Sequence, residues 1–464
     1  MSAFAPTSAS AGTGADHSFF TGGMAALAGL MFGLDIGVIS GALQFIGTAF
    51  HASDTAKEWI VSSMMFGAAL GALAAGVLSY RLGRKVSLIL GAILFVAGSL
   101  FCAFSWSISS LIVARIVLGL AIGIATFTAP LYISEIAPPE KRGSMISTYQ
   151  LMITIGILAA FISDTLLAYT GAWRWMLGIV AVPGVLFLLG VLRLPNSPRW
   201  LMMRGRKREA QDVLHTLRGN DRVVEAEVRD IEEQLRRPQV GLQLFRGNPN
   251  FRRSVFLGIA LQVIQQLTGI NVVMYYAPRI FEAAGFHGHA QLWGTAIVGL
   301  VNVLATLLAI GVVDRLGRRP VLLAGFATMT VGMGVLGFLL HIGTHTLGMQ
   351  LFAVAMLLVF IIGFATSAGP LIWVLCSEVQ PTKGRDFGIA ASTLTNWVAN
   401  FIVGLTFLSM LHSFGDGVTF GIYAAFNFAF LFFTFFMVPE TKGISLEKIE
   451  ANLMEGKPLR NIGV

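Results

Sequence analysis

Apolar residues run along most of this chain in stretches of about twenty, separated by short polar turns. A helix needs roughly 20 apolar residues to cross the hydrocarbon core of a bilayer. That length predicts twelve spans, beginning near Phe19, Trp59, Val86, Leu111, Ser144, Trp175, Val255, Leu292, Val321, Gln350, Phe387 and Val418. The run from Pro320 to Ser377 holds no Asp, Glu, Lys or Arg and is read as two spans divided around "HIGTHTLG". One long polar segment interrupts the pattern, roughly Asn196 to Arg253. Within it Val213, Leu214 and Leu217, then Val228, Ile231 and Leu235, recur at helical spacing and predict short amphipathic helices.

The chain also repeats itself. "LGRK" at Leu82 returns as "LGRR" at Leu316, "SEIAPPEKR" at Ser134 as "SEVQPTKGR" at Ser377, and "PNSPR" at Pro195 has a looser echo in "PETKG" at Pro439. Offsets near half the chain length predict two six-helix halves in the same orientation. Parallel repeats with a substrate site at their interface are a transporter architecture. The expected fold is therefore an all-α membrane protein of two pseudo-symmetric six-helix bundles. Residues 1–17 are read as an irregular tail, 18–195 as the first bundle, 196–250 as a helical linker, 251–438 as the second bundle and 439–464 as a C-terminal tail.

Composition agrees. Of the 464 residues 55% are hydrophobic and 12% charged, against about a quarter charged in soluble domains; mean hydropathy is +0.75. The net charge of +8 is a topology signal. With an even number of spans and both termini inside, all of the 32 Lys and Arg except Lys57, Arg115, Arg174 and Arg279 fall in inner loops. The positive-inside bias places both termini in the cytoplasm and argues against nucleic acid as a partner. Cys102 and Cys376 are too few for a disulfide framework or a cysteine metal cluster. His287, His289, His341 and His345 read as loop polarity. No H-E-x-x-H, G-x-S-x-G or P-loop is present, so neither an intramembrane hydrolase nor an ATP-driven pump is indicated. The N-terminus lacks the basic region of a signal peptide.

The polar groups inside the spans carry the candidate chemistry. Asp35 lies within the first span, where a charge is costly unless paired or neutralised, and Arg115 is the one basic residue similarly embedded. A carboxylate that is ionised beside Arg115 and protonated away from it can carry a proton; a static pair fixing helix packing is the competing reading. Asp164, Glu135 and Glu378 lie within or at the ends of other spans, and the last two begin an E-x6-R pattern with Arg142 and Arg385. "QQLTGINVVMYYAP", Gln265 to Pro278, sits in an uncharged run from Ser254. Gln262, Gln265, Gln266 and Gly269 share one helical face, whereas nine steps of about 100° aim Asn271 the other way. A break at Thr268–Gly269 lets both sets converge on one cavity, the setting in which irregular backbone is tolerated at that depth. Pro370 weakens the companion helix at Thr366. Asn and Gln both donate and accept, which suits the hydroxyls of a neutral sugar. Gln150, Gln265, Gln266, Asn271, Asn302, Asn396 and Asn400 form the candidate cluster; helix–helix adhesion is the plainer alternative.

These motifs together resemble the sugar porter family of the major facilitator superfamily: "RLGRK", "DRLGRRP", "SEIAPPEKRG", "PNSPRW", "QQLTGIN", "GPLIWVLCSE", Asn396–Trp397 and "PETKG", covering the chain from about Ala25 to the C-terminal tail. The resemblance implies that the amides, with Tyr275, Gly369 and Trp373, contact the sugar. It also implies that Arg84, Glu135, Arg142, Arg318, Glu378 and Arg385 form an inner charge network gating the outward-facing state. With Asp35 present, it implies a carrier rather than an enzyme, importing an aldohexose with a proton, D-galactose and also D-glucose, by alternating access. Passive uniport and proton symport of a pentose such as arabinose or xylose compete with that reading. The expected setting is the bacterial inner membrane, as a monomer in the lipid bilayer, with no metal and no cofactor beyond the proton gradient. One departure is Tyr80, where the family's first loop motif usually has an acid; the second copy keeps Asp314. Another is Ala365, where passive glucose carriers have an acid.

Overall fold

The computed structural model describes residues 11–138, 142–236 and 241–464, with side chains described except at 11–22, 25, 142–143 and 312–314. Among the described residues twelve helices are long and apolar enough to cross a membrane. The first half contains α1 (Ala11–Phe50), α2 (Asp54–Arg81), α3 (Arg84–Ala103), α4 (Ile108–Ile136), α5 (Arg142–Ala168), α6 (Trp173–Ile179) and α7 (Ala181–Arg193). Pro183 lacks the amide that Ile179 would need, which accounts for the joint between α6 and α7 in one span. The polar segment folds into α8 (Pro198–Met203), α9 (Lys207–Arg218), α10 (Asp221–Leu235) and α11 (Gly241–Gly247). The second half contains α12 (Pro249–Leu267), α13 (Ile270–Ala283), α14 (His289–Leu316), α15 (Arg318–Ile342), α16 (Leu347–Thr366), α17 (Ala368–Glu378), α18 (Arg385–Phe414) and α19 (Asp416–Met437), followed by α20 (Leu446–Met454).

The tail expected to be irregular over 1–17 is helical from Ala11; residues 1–10 lie outside the described residues. Extending a helix already nucleated in the span adds one hydrogen bond per residue fixed, and that favours helix over coil up to Ala11. The linker is not free either. Trp200 Nε1 donates to the Tyr80 carbonyl at 2.9 Å and Arg218 Nη1 to the Ile136 carbonyl at 2.9 Å, which seats α8 to α10 on the first half. Phe245 of α11 packs on Phe387 of the second half. At the C-terminus, Asn250 Nδ2 donates to the Met454 carbonyl at 3.0 Å.

Close backbone approach organises the first half. Gly29, Gly33, Gly37 and Gly41 recur every four residues on the side of α1 that meets α5. A Cβ at Gly29 would lie 2.5 Å from the Tyr149 carbonyl oxygen, and one at Gly33 would lie 1.9 Å from that of Ile153. Such small-residue stripes are how helices associate where lipid gives no hydrophobic drive between them.

Two spans of the second half are broken. Between α12 and α13, Gly269 adopts φ +93°, ψ 8°. Between α16 and α17, Ser367 is non-helical at φ −132°, ψ −87°, three residues before Pro370. Both breaks fall where the sequence places them. The pair also obeys the rule that freed backbone groups in a membrane must find partners: Asn427 Nδ2 of α19 donates to the Thr268 carbonyl at 3.0 Å.

Gly269→Ala tests the first break. Left-handed backbone costs an L-residue about 1–2 kcal/mol, and the new methyl would also meet the Tyr423 ring at 3.0 Å. We expect a lower thermal unfolding midpoint for the purified protein. An unchanged midpoint would show that the break does not depend on positive φ.

Candidate functional site

Asp35 and Arg115 meet in the interior of the first half. Arg115 Nη1 donates to Asp35 Oδ1 at 2.8 Å and Nε to the Ile60 carbonyl at 3.2 Å, with both side chains fully buried. The pair is incompletely satisfied: among the described residues, Asp35 Oδ2 and Arg115 Nη2 have no hydrogen-bond partner. Desolvation nearly offsets the attraction in a buried ion pair unless the remaining donors and acceptors are also met, so this pair is poised rather than locked.

The amides gather in the second half as three linked sets. Asn396 Nδ2 donates to Gln262 Oε1 at 2.6 Å and to Gln265 Oε1 at 2.9 Å. Gln265 Nε2 in turn donates to the carbonyls of Ala368 and Gly369 at 3.0 and 3.1 Å. A single side chain beside one helix break therefore reaches the backbone of the other. Asn271 Nδ2 donates to Gln266 Oε1 at 2.5 Å, so the break does turn Asn271 back toward the glutamine face. Asn400 Nδ2 donates to the Tyr275 hydroxyl at 3.1 Å.

Other candidates stand apart. Asn302 is buried on α14, but its hydrogen bond is made by its backbone carbonyl, which accepts from Thr306 Oγ1. Gln150, half-buried on α5, is the one candidate amide from the first half, and no hydrogen bond ties it to the others. Trp373 is 40% exposed and stacks on none of the rings around the amides. The cluster expected from both bundles is thus supplied almost wholly by the second half. Linear spacing does not reveal this, because it reports faces of one helix and not which helices meet.

Two residues were missed. Gln262, noted only as sharing a face, accepts from Asn396 at the centre of the network. Asn427, fixed on the Thr268 carbonyl, was passed over within a Phe-rich span, where one amide among apolar residues was the available signal.

At the face carrying the linker, the two repeats match closely. Gly83 and Gly317 precede α3 and α15 with φ, ψ of 94°, 163° and 95°, 164°. Arg84 binds both oxygens of Glu135 at 2.8 and 2.7 Å, and Ser197 Oγ donates to the same carboxylate at 2.5 Å. Correspondingly, Arg318 Nη2 lies 3.1 Å from Glu378 Oε1, and Thr441 Oγ1 donates to Glu378 Oε2 at 2.6 Å. The acids thus pair with the loop arginines. Arg385 Nη2 instead donates to the Gln380 carbonyl at 3.4 Å, and the Arg142 side chain lies outside the described residues. Spacing along the chain suggested the E-x6-R partners; for Glu378 the fold brings the G-R loop of another helix nearer than Arg385.

At the face opposite the linker the halves are joined. Glu58, buried on α2, accepts from the Ser409 amide at 2.7 Å and the Ser409 hydroxyl at 2.8 Å on α18. Thr165 Oγ1 donates to the Leu292 carbonyl at 3.2 Å, and Tyr169 stacks on His289 with ring centroids 4.0 Å apart. Phe32 and Trp397 meet edge-on deeper in the seam. A cavity of about 570 Å³ lies at this face, with Ser40, Gln44 and Lys57 on one side, Arg279 and Gln291 on the other, and Tyr275 and Tyr276 within its lining. The amide network shares only Tyr275 with it. Glu58 was another omission from the sequence reading, since its position at the start of a span looks like an ordinary interfacial charge.

Comparison with known proteins follows the same lines. The family model described as "Sugar (and other) transporter" matches residues 22–453. The chain is 60% identical to the galactose-proton symporter of Escherichia coli (strain K12) over 447 residues, 96% of each chain. It is 53% identical to the arabinose-proton symporter of the same strain over 451 residues, again 96% of each. Its structure is similar to the partially occluded inward open conformation of the xylose transporter XylE from E. coli, with TM-score 0.81, 30% identity, and coverage of 93% of this chain and 100% of that one.

The outer contact yields a prediction. Glu58→Leu removes two hydrogen bonds between the halves, each contributing about 1 kcal/mol. That sum shifts the closed-to-open ratio at the outer face by roughly tenfold or more. A cysteine placed at Asn271 should then react correspondingly faster with an impermeant thiol reagent added outside. An unaltered rate would mean that Glu58 does not hold this seam.

Proposed function

This chain belongs to the sugar porter family of the major facilitator superfamily, and from that membership we propose that it imports an aldohexose together with a proton, D-galactose first and D-glucose also. It is a multi-pass membrane carrier of twelve spans. We place it in the bacterial inner membrane as a monomer with both termini in the cytoplasm, driven by the proton gradient without a cofactor. The observation that carries the reading is the combination of one buried, half-satisfied acid–base pair in the first half with an uncharged amide network at two helix breaks in the second.

In this mechanism protonation of Asp35 weakens its hold on Arg115 and permits loading from outside. The halves then close over the sugar, and proton and sugar leave inward. Gln262, Gln265, Gln266, Asn271, Tyr275, Asn396 and Asn400 are assigned to the sugar, with Gln150, Asn302, Gly369 and Trp373 completing the site as the halves move. Without sugar the amides satisfy one another, so binding exchanges amide–amide bonds for amide–hydroxyl bonds. Each exchange contributes only about 1 kcal/mol net, and selectivity requires several acting together. The Arg84–Glu135 and Arg318–Glu378 pairs are assigned, with Arg142 and Arg385, to the gating of the inner face. One proton falling through about 100 mV yields ~2.3 kcal/mol, which at ~1.4 kcal/mol per decade supports roughly 40-fold accumulation.

The resemblance to the arabinose-proton symporter favours a pentose as the second reading. Competition of labelled galactose uptake by glucose, arabinose and xylose separates the two. Galactose uptake that an excess of arabinose suppresses more strongly than glucose does would overturn the hexose assignment.

Asp35→Asn should abolish uphill accumulation and sugar-induced alkalinisation of a lightly buffered suspension while retaining part of the counterflow in liposomes. Uphill uptake at the unmutated level would remove Asp35 as the proton site. Asn396→Ala deprives Gln262 and Gln265 of their shared donor, and we expect sugar affinity to fall about tenfold or more by titration calorimetry. Equal affinity would place the sugar elsewhere.

A further inference from the structure

A second carboxyl is buried in the first half, and the mechanism above makes no use of it. Asp164 on α5 is 1% exposed, and among the described residues no side chain hydrogen-bonds to either of its carboxyl oxygens. It occupies the fourth rung of the glycine stripe on α1. At the earlier rungs α5 presents backbone carbonyls or the Ala160 methyl, but at Gly41 it presents this carboxyl: a Cβ there would lie 2.4 Å from Asp164 Oδ2. The absence of a side chain at Gly41 makes the space that the acid group fills.

Four charged or titratable groups on the elements around it are, among the described residues, engaged elsewhere. On α1, among the described side chains, Asp35 is held by Arg115 of α4. On α14, His289 stacks on Tyr169. On α6, Arg174 donates to the carbonyls of Ala103 and Ser105. Glu135 of α4 is bound at the far face by Arg84. An ionised carboxylate with no counter-charge, and no donor beside it but the Gly41 backbone amide, is not sustained in such surroundings, and the group neutralises instead.

A cavity nevertheless lies close by. The outer cavity is lined by Ser40 and Gln291. Ser40 precedes Gly41, whose surface Asp164 covers. Gln291 precedes Leu292, whose carbonyl accepts from Thr165, the residue after Asp164. The acid is therefore one residue removed, on both sides, from the seam between the halves at the outer face.

We propose that Asp164 is a second proton-binding site, holding its proton while the outer seam is shut and ionising to the outer solution when the seam opens. This proton is taken up from outside on closure and returned outside on opening, so it is not transported. It biases the conformational equilibrium without altering the coupling through Asp35. The closed state binds one more proton than the open state, so acid outside favours closure and rising pH favours opening. Below about pH 4, near the ordinary range for an aspartic acid, both states are protonated and the bias vanishes. The sugar takes no part in this equilibrium, so failure of the substrate assignment leaves the second site standing.

Two measurements test it. The infrared difference spectrum of the unsubstituted protein minus Asp164→Asn near neutral pH should contain the carbonyl band of a protonated carboxylic acid. Absence of that band overturns the proposal. The second is alkylation of Gln291→Cys by an impermeant reagent added outside, with and without Asp164→Asn. The ionisation of the thiol is common to both backgrounds, so the ratio of rates reports the seam alone. We expect that ratio, Gln291→Cys alone over Gln291→Cys combined with Asp164→Asn, to rise with external pH by up to about tenfold per unit. A flat ratio overturns the proposal even if the band is present. Because the infrared titration of Asp35→Asn leaves Asp164 in place and removes the other proton-binding carboxyl, poor folding of Asp164→Asn does not remove the test: an acid carbonyl band in Asp35→Asn that grows as pH falls toward neutrality supports the proposal, and no such band overturns it.

Discussion

A backbone carbonyl or amide released inside a bilayer has no water to turn to, and the second half of this molecule is arranged around that constraint. Breaking a span at Gly269 and another at Ser367 frees groups that hydrocarbon cannot satisfy. Asn427 reaches across to the Thr268 carbonyl, and Gln265 spans from the first break to the backbone at the second. One of the side chains that make irregular backbone tolerable at mid-depth, Gln265, is thus itself among those assigned to the sugar. A binding site and the repair of a broken helix require the same chemistry: neutral groups able to donate and accept at once.

Charge inside the molecule is managed in two ways. Asp35 is kept by pairing, with Arg115 at 2.8 Å; Glu58 is kept by donors, both from Ser409 on the other half. In one case the partner lies on the other half of the molecule; in the other the pair is only half engaged. Removing one member of such a buried pair leaves an uncompensated charge at about 3–5 kcal/mol, a cost large enough to couple local separation to rearrangement of whole helices. At the linker face the acids are instead bound within their own half, so these pairs do not tie one bundle to the other.

Much of this was legible in the sequence, for identifiable reasons. Span number follows from apolar length alone. The break at Gly269 could be read because Asn271 faces the wrong way on a straight helix, and that at Ser367 because Pro370 removes an amide. Asp35 and Arg115 could be matched because few other charges lie so deep. What could not be read were contacts between spans far apart in the chain. Glu58 meets a residue 351 positions away, and nothing local to either marks the pairing. Glu378 takes its arginine from the G-R loop, while its E-x6-R partner Arg385 donates to the Gln380 carbonyl, for the same reason. Asn302 and Gln150 share a residue type with the network but not its location, a distinction that composition does not carry.

The two halves are most alike at their linker-side ends and least alike at mid-depth. Gly83 and Gly317 have nearly the same backbone conformation, and Arg84–Glu135–Ser197 is mirrored by Arg318–Glu378–Thr441. At the centre the first half holds the ion pair and the second the amides. A carboxylate beside the amides would draw their donors to itself and leave fewer for a neutral ligand, whereas Asn and Gln bridge hydroxyls with no charge to desolvate. Keeping the two chemistries in separate bundles means that neither acts on the other through direct bonds. Coupling then has to pass through the seam, where Phe32 meets Trp397, a residue adjacent to Asn396 in the chain. A carrier built this way links proton and cargo by the relative position of its halves, and the symmetric ends allow that position to change without remaking either bundle.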